Sequence, residues 1–183
     1  PEAIGEVHKD YLEAGSDCVT TASYQASFEG FMKRGLSEQE AKSLIQSSIK
    51  IAQNVRDTFW ADEKNRLKRQ KPLVAASVGP YGAYLADGSE FKGNYGLSID
   101  ELIAFHCKRM QTLIEAKPDL LACETIPCLI EAKALCKLLE EFPDTYAWMS
   151  FSAKDGKHIN SGESVKECAQ FLETQKQIVA IGI

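Results

Sequence analysis

Short apolar segments alternate with amphipathic helical segments along this chain, and this alternation constrains the fold more than any other feature. Five of the apolar segments are predicted strands, which start near residues 18, 73, 119, 145 and 178. The segment Leu73–Val78 is apolar almost throughout, as is typical of strands buried on both faces of a parallel sheet. Such strands, alternating with helices, imply parallel βα units joined by right-handed crossovers. The sequence therefore predicts an α/β fold.

Capping patterns mark the starts of two predicted helices. Ser37 with Glu40, and Ser98 with Glu101, have the three-residue spacing of a capping box. Pro127 follows the third predicted strand, and we expect it to start the next helix, because proline is favoured at the first helical position.

The spacing of the strands favours a TIM (β/α)8 barrel. The repeat averages about 40 residues, so eight units would need roughly 320 residues, within the range of elaborated barrels. The alternative is an open doubly wound sheet, but no G-x-G-x-x-G or G-x-x-x-x-G-K-[ST] pattern follows any predicted strand. We therefore predict that residues 1–183 form a single domain, about five βα units of a barrel. A start without methionine and an apolar run at residues 178–183 indicate truncation at both ends.

Charge and hydropathy limit the partners of this protein. The 26 acidic and 21 basic residues give a net charge of -5, so no overall positive field attracts nucleic acid or an anionic bilayer. No apolar run approaches the ~18 to 20 residues of a membrane-spanning helix, and no signal-peptide pattern opens the chain. The six cysteines form no CxxC pair and are interpreted as reduced, mostly buried thiols. We expect a cytoplasmic protein without nucleic-acid or membrane partners.

The residues that follow each strand are the candidate site residues, because α/β proteins bind ligands beyond the carboxyl ends of their strands. Four segments qualify: residues 20–25, 77–82, 123–127 and 150–152. Glu124 is the only acid directly at a strand end, where it could hold a cationic amino group. It could equally pair with a neighbouring loop residue or order the start of the next helix, and spacing alone leaves both interpretations open.

The loops after the first two strands are rich in glycine and aromatic residues. The turn from Gly79 to Gly82 would bring bare backbone near a ligand, or it is a structural turn. Grouped ring faces could hold a cation such as a sulfonium, or they could simply pack a long loop. The rings concerned are Tyr24, Tyr81, Tyr84, Phe91 and Tyr95.

Metal-ligand and nucleophile patterns are weak in this chain. Of the three histidines, only His158 falls in a strand-end loop, so neither a metal triad nor a Ser-His-Asp set can be assembled. Cys123 and Cys128 are separated by four residues across a strand-to-helix turn, which is a weak signal for a zinc pair. The sequence therefore assigns neither metal ligands nor catalytic residues.

The segment at residues 77–91, SVGPYGAYLADGSEF, followed by Gly93-Asn94-Tyr95, closely resembles the homocysteine S-methyltransferase family. The resemblance is to the branch that uses S-methylmethionine or S-adenosylmethionine. Residues 11–17 (YLEAGSD), 20–27 (TTASYQAS) and 120–127 (LLACETIP) agree with the same family. The resemblance covers essentially the whole chain in register.

This resemblance implies a TIM barrel that transfers a methyl group from a sulfonium donor to the zinc-activated thiolate of homocysteine, giving methionine. The family holds Zn2+ through three cysteines, one in G-[IV]-N-C and two in a later G-G-C-C motif. Because this sequence ends at Ile181-Gly182-Ile183, the expected zinc ligands lie beyond Ile183. We therefore expect the chain itself to be inactive and its parent protein to be active.

The resemblance also implies a set of substrate-binding residues. Glu124 would hold the ammonium group of homocysteine, and Thr21 and Ser23 would line the same pocket. Gly79 and Pro80 would shape the pocket wall. Three further residues are assigned to the side of the sulfonium donor: Tyr24, Gln25 and Tyr81.

Two alternatives remain open at the level of sequence. One is an amino-acid-binding barrel protein that lacks the metal and has no methyltransferase activity. The other is an aldolase or isomerase that uses a lysine Schiff base, although no lysine stands at the end of a predicted strand.

Overall fold

The computed structural model describes residues 1–183, and five parallel strands form its single sheet. The strands are β1 (Cys18–Thr20), β2 (Leu73–Val78), β3 (Leu120–Ile126), β4 (Ala147–Phe151) and β5 (Ile178–Gly182). Their order across the sheet is the order along the chain, and all four neighbouring pairs are parallel. The predicted α/β class with five parallel strands is confirmed.

Helices connect the strands. They are α1 (Glu2–Glu13), α2 (Phe28–Lys33), α3 (Glu38–Ala61), α4 (Tyr81–Leu85), α5 (Ile99–Glu115), α6 (Leu129–Leu139) and α7 (Val165–Glu173). Two short 3-10 turns, Glu63–Arg66 and Ser89–Phe91, lie in the loops. No helix combines the length and the apolar character needed to cross a membrane.

Both predicted capping boxes are present. The Ser98 hydroxyl accepts from the Glu101 amide at 3.3 Å, and the Glu101 carboxylate accepts from the Ser98 amide at 2.8 Å. The same reciprocal pair joins Ser37 and Glu40 at the start of α3. These bonds satisfy amides that lack partners within the first helical turn, which is why α3 and α5 begin where the sequence predicts.

Two predicted boundaries are wrong. Pro127 does not start α6, because that helix begins at Leu129, with Cys128 at its N-cap position. The Pro127 carbonyl instead accepts from the amide and the hydroxyl of Ser161, at 3.0 and 2.8 Å, which ties the connection to a later loop. The apolar, β-branched run at residues 18–22 predicts a first strand of five residues, but β1 ends at Thr20, because the backbone turns there and the Ser23 amide donates to the Thr21 carbonyl.

The helices pack against one face of the sheet. The main buried cluster joins Val74, Ala76 and Val78 of β2 to apolar side chains of the helices, among them Ile49 of α3 and Leu135 of α6. The other face carries a separate small cluster of Ala75, Leu120 and Ala122, against which only Cys18 and Trp148 pack. Alternate residues of each strand therefore face either the helices or a surface without helices.

A charged contact fastens the amino ends of the strands. Asp119, just before β3, accepts from Arg56 of α3 at 2.6 Å and from the Val74 amide of β2 at 2.7 Å. Through these two bonds, the Asp119 carboxylate joins α3 to two adjacent strands. The contact lies at the end of the sheet opposite the candidate site, and Arg56 is buried in it.

Candidate functional site

A chain of hydrogen bonds links the carboxyl ends of β1, β2 and β3. The Ser77 amide donates to Thr21 Oγ1 at 3.0 Å, and the Ser23 hydroxyl donates to the Ser77 carbonyl at 2.8 Å. Since the only proton of the Ser23 hydroxyl is used there, the Thr21 hydroxyl must donate to Ser23 Oγ across 2.7 Å. Thr21, Ser23 and Ser77 are all buried. The predicted pair Thr21 and Ser23 is thus locked onto β2.

The chain of bonds ends at Glu124. The Ser77 hydroxyl donates to Glu124 Oε1, whereas no protein group donates to Oε2. Glu124 is half-buried, so this second oxygen stays accessible to a ligand. Glu124 thus pairs with a side chain of the neighbouring strand and also keeps one free acceptor.

A β-bulge in β3 gives Glu124 its direction. Cys123 pairs with Met149 and Ile126 pairs with Phe151, so β3 contains one residue more than β4 over this stretch. Cys123 and Ile126 can then both be buried in the main cluster, and Glu124 is left on the face without helices, as Ser77 is. Thr125 adopts a left-handed backbone, with φ of 63°, which is costly for a β-branched residue.

The turn that follows β2 lies directly against Tyr24. We call residues 79–81 the β2 turn; Gly79 and Pro80 in it are buried. The open side of Gly79 is covered by the Tyr24 backbone and ring. A structural close approach therefore accounts for this glycine.

Tyr24 lies near acidic side chains, among them Glu124 of the candidate site. Burial raises the pKa of its hydroxyl, a hydrogen bond with the Thr125 side chain opposes this, and the charges of Glu90 and Glu124 raise the pKa further. The phenol is consequently a neutral hydrogen-bond donor near Glu124 at neutral pH.

The other residues predicted for the sulfonium side have different surroundings. The Tyr81 ring meets Phe105 edge-on, with ring centres 4.9 Å apart, and also contacts Tyr95 and Tyr84. Gln25 is exposed and donates to the Ala83 carbonyl at 3.3 Å. Together with Tyr24 it lines a groove of about 400 Å³ that does not include Thr21, Ser23 or Glu124. The structure thus gathers Thr21, Ser23, Ser77 and Glu124 and separates Gln25 and Tyr81 from them.

Packing rather than an open cage explains most of the aromatic residues. Tyr81, Tyr84 and Tyr95 belong to the cluster around Phe105, and Lys33 Nζ lies 4.6 Å from the centre of the Tyr84 ring. Phe91 is 62% exposed and takes no part in the cluster.

Sequence reasoning included Ser77 in the candidate segment 77–82 without giving it a role, and it missed a charged cluster behind the β2 turn. That cluster contains Arg109 and His106 of α5 and Glu131 of α6, all buried. The available signal was a histidine and an arginine, three residues apart, on the buried stripe of an amphipathic helix.

The cysteines and other candidate ligands of this chain do not fit a zinc ion. No group of three or more His, Cys, Asp or Glu side chains is placed to hold a metal. Burial raises the pKa of the Cys123 thiol, which faces the helices, and raises the pKa of Cys128 to about 12. Neither thiol belongs to a group of side chains that could hold a metal ion.

These features define an α/β protein with sequentially ordered parallel strands and a polar cluster, the candidate site, at their carboxyl ends. Residues 1–183 match the model of the homocysteine S-methyltransferase family over their whole length, and the chain belongs to that family. The resemblance read from the sequence motifs is thereby confirmed.

Individual relatives agree with this assignment. The chain is 63% identical to the homocysteine S-methyltransferase YbgG of Bacillus subtilis and 45% identical to the homocysteine S-methyltransferase of Escherichia coli. Both alignments include 100% of this chain and 58% of the relative. The crystal structure of the metallated homocysteine methyltransferase MmuM from Escherichia coli superposes with a TM-score of 0.94 at 45% identity, covering 100% of this chain and 62% of that one. The chain thus spans less than two thirds of the length of these relatives.

Proposed function

We propose that the full-length protein containing this chain is a homocysteine S-methyltransferase. It transfers a methyl group from a sulfonium donor, S-methylmethionine or S-adenosylmethionine, to the thiolate of homocysteine, giving methionine. Family membership supports this assignment, and the observation that carries it at the site is the Glu124 carboxylate with one oxygen fixed by Ser77 and the other free. The alternative of an amino-acid-binding protein without activity has no support among the relatives, which are named as methyltransferases.

In this proposal, Glu124 binds the ammonium group of homocysteine through Oε2. The bond from Ser77 to Oε1 holds the carboxylate in one orientation, and Thr21 and Ser23 hold the Ser77 backbone. A charge-assisted bond to a fixed acceptor anchors the amino-acid end of the substrate. Gly79 and Pro80 form the adjacent wall.

The chain contributes to the reaction by placing the substrate. Methyl transfer between two sulfurs needs the attacking thiolate in line with the donor methyl at ~3 to 3.5 Å. Anchoring the ammonium group limits where the sulfur of a short amino acid can lie. Among the residues predicted for the donor side, Tyr24 is the one best supported, because its hydroxyl lies near Thr125 and feels the charge of Glu124.

The zinc ion implied by the family resemblance would have to be held by residues outside this chain, because its own cysteines do not fit that role. When bound, zinc supplies a deprotonated homocysteine thiol near neutral pH. The related Escherichia coli protein has been described in a metallated form.

We also propose that residues 1–183 form a single domain, five βα units of a TIM (β/α)8 barrel that binds homocysteine. Two observations support the barrel over a doubly wound sheet. Strand order is sequential, without the reversal at a switch point, and helices cover one face instead of two. Six free cysteines support a cytoplasmic location, with small molecules as the partners.

The test is methionine formation by the full-length gene product from homocysteine and S-methylmethionine, run beside S-adenosylmethionine and with a zinc chelator as control. We expect turnover that the chelator abolishes, and the two rates rank the donors. Folded, zinc-loaded protein that forms no methionine with either donor would overturn the assigned reaction.

A further inference from the structure

A charged cluster is buried directly behind the β2 turn. His106 and Glu131 are 0% exposed and Arg109 is 2% exposed. Burial of charged side chains is costly unless they are paired and hydrogen-bonded, and these three side chains are joined to one another by hydrogen bonds.

The direction of the hydrogen bonds in this cluster is fixed by Arg109. A guanidinium only donates, so His106 Nδ1 must accept from Arg109 Nη2 across 2.7 Å. The proton of the imidazole then lies on Nε2 and is donated to Glu131 Oε1 across 2.8 Å. Burial lowers the pKa of His106, and the charge of Arg109 lowers it further, so the ring is neutral at pH 7.

The outer bonds of the cluster end on the backbone of the two loops that form the site. Arg109 Nη2 donates to the Gly79 carbonyl at 2.5 Å, and Arg109 Nη1 donates to the Ala26 carbonyl at 3.3 Å. Glu131 Oε1 accepts from the Tyr81 amide at 2.6 Å. The three side chains thus hold both ends of the β2 turn and join it to the loop after β1.

We propose that Arg109, His106 and Glu131 are positioning residues that hold the β2 turn in its substrate-binding conformation before homocysteine arrives. This inference rests on the proposed function. None of the three touches the Glu124 site, and their effect passes through Gly79 to the wall of the pocket and to Tyr24.

The chain offers a matched control, because Arg56 is a second buried arginine with a different location. Its bonds go to Asp57 and Asp119 at the amino ends of the strands. Loss of the hydrogen bonds of either guanidinium group should lower the melting temperature. Only loss of those made by Arg109 should weaken homocysteine binding.

The experiment compares Arg109→Lys, His106→Gln and Arg56→Lys in the full-length protein, with Tm, KM for homocysteine and kcat as readouts. Arg109→Lys keeps the charge but cannot donate to Gly79, Ala26 and His106 together, so we expect KM to rise about tenfold with kcat nearly unchanged. His106→Gln preserves one acceptor and one donor, so KM for homocysteine should stay within about twofold of the wild-type value. Arg56→Lys should lower Tm and leave KM unchanged.

Folded Arg109→Lys protein with the wild-type KM would overturn the inference, as would an equal rise of KM in Arg56→Lys. If Arg109→Lys does not fold, amide hydrogen exchange of the wild-type protein tests whether the β2 turn is held in place before homocysteine binds. Slow exchange of the amides at residues 81–83 without homocysteine supports a turn held in advance, and exchange that slows only after homocysteine is added overturns it. A wild-type protein that forms no methionine would defeat the proposed function, while the exchange measurement would still judge the positioning role.

Discussion

A Cβ atom added to Gly79 would lie 2.5 Å from the carbonyl oxygen of Tyr24 and 2.8 Å from its ring. The φ angle of Gly79 lies outside the left-handed range, so crowding rather than backbone conformation excludes a side chain here. The loops after β1 and β2 therefore meet at a contact that only glycine permits.

Gly79→Ala should push Tyr24 away from the β2 turn. We expect a loss of about 1 to 3 kcal/mol in the free energy of unfolding, as for other overpacked sites, together with a KM for homocysteine raised about tenfold. Urea denaturation and steady-state kinetics of the full-length protein measure the two effects.

Gly156→Ala is the matched control, since Gly156 is exposed and no atom lies within 4 Å of the added Cβ. If the two variants have the same free energy of unfolding and the same KM for homocysteine, the contact between Gly79 and Tyr24 is unimportant.

Glu124→Gln removes the negative charge but keeps an oxygen that can accept from Ser77. We expect homocysteine to bind about tenfold to a hundredfold more weakly, because hydrogen bonds to charged groups contribute about 1.5 to 3 kcal/mol. Titration calorimetry of the full-length protein measures this change. Glu140→Gln, at an exposed position after α6, serves as the control, and unchanged homocysteine binding would remove Glu124 from the site.

Thr125→Asn tests whether the bulge in β3 stores strain. Asparagine tolerates the left-handed conformation that Thr125 adopts, so the free energy of unfolding should rise by up to about 1 kcal/mol. Thr174→Asn is the control, because Thr174 has a right-handed backbone at the end of α7. A gain at residue 174 equal to that at 125 would argue against strain.

The strands and helices were predictable because their signals are local. Apolar periodicity located all five strands, and reciprocal capping fixed the starts of α3 and α5. The start of α6 was mispredicted because the position of Pro127 depends on a contact with Ser161, far along the chain.

The site was only partly predictable, because part of it depends on contacts between residues far apart in the sequence. Position at a strand end was enough to select Thr21, Ser23 and Glu124. The bulge near Glu124 depends on the register of β3 against β4, and Ser77 reaches Glu124 through the pairing of β2 with β3. The position of the Tyr81 ring is set by Phe105 of α5, which no strand-end rule includes.

Stability should fall as the pH is lowered from about 7.5 to about 5.5. Burial lowers the pKa of both His8 and His106 below the usual value of 6.5, and for His106 the charge of Arg109 adds to the effect while Glu131 opposes it. Below pH 6.5 the unfolded chain binds protons that the folded chain excludes, so acid favours unfolding. The stability present above the unfolded pKa is therefore lost on acidification.

His106→Gln should flatten this dependence, since glutamine keeps both hydrogen bonds of the ring without taking up a proton. Urea denaturation of the full-length protein across the pH range gives the slope, with His158→Gln as the control at a partly exposed histidine. Carboxylates whose pKa is lowered by capping bonds, such as Glu101 and Glu167, change charge below this range and do not affect the comparison. A slope that is the same in wild type and His106→Gln would mean that the buried ring takes up a proton as readily as an exposed one, and the neutral tautomer assigned to the cluster behind the β2 turn would be wrong.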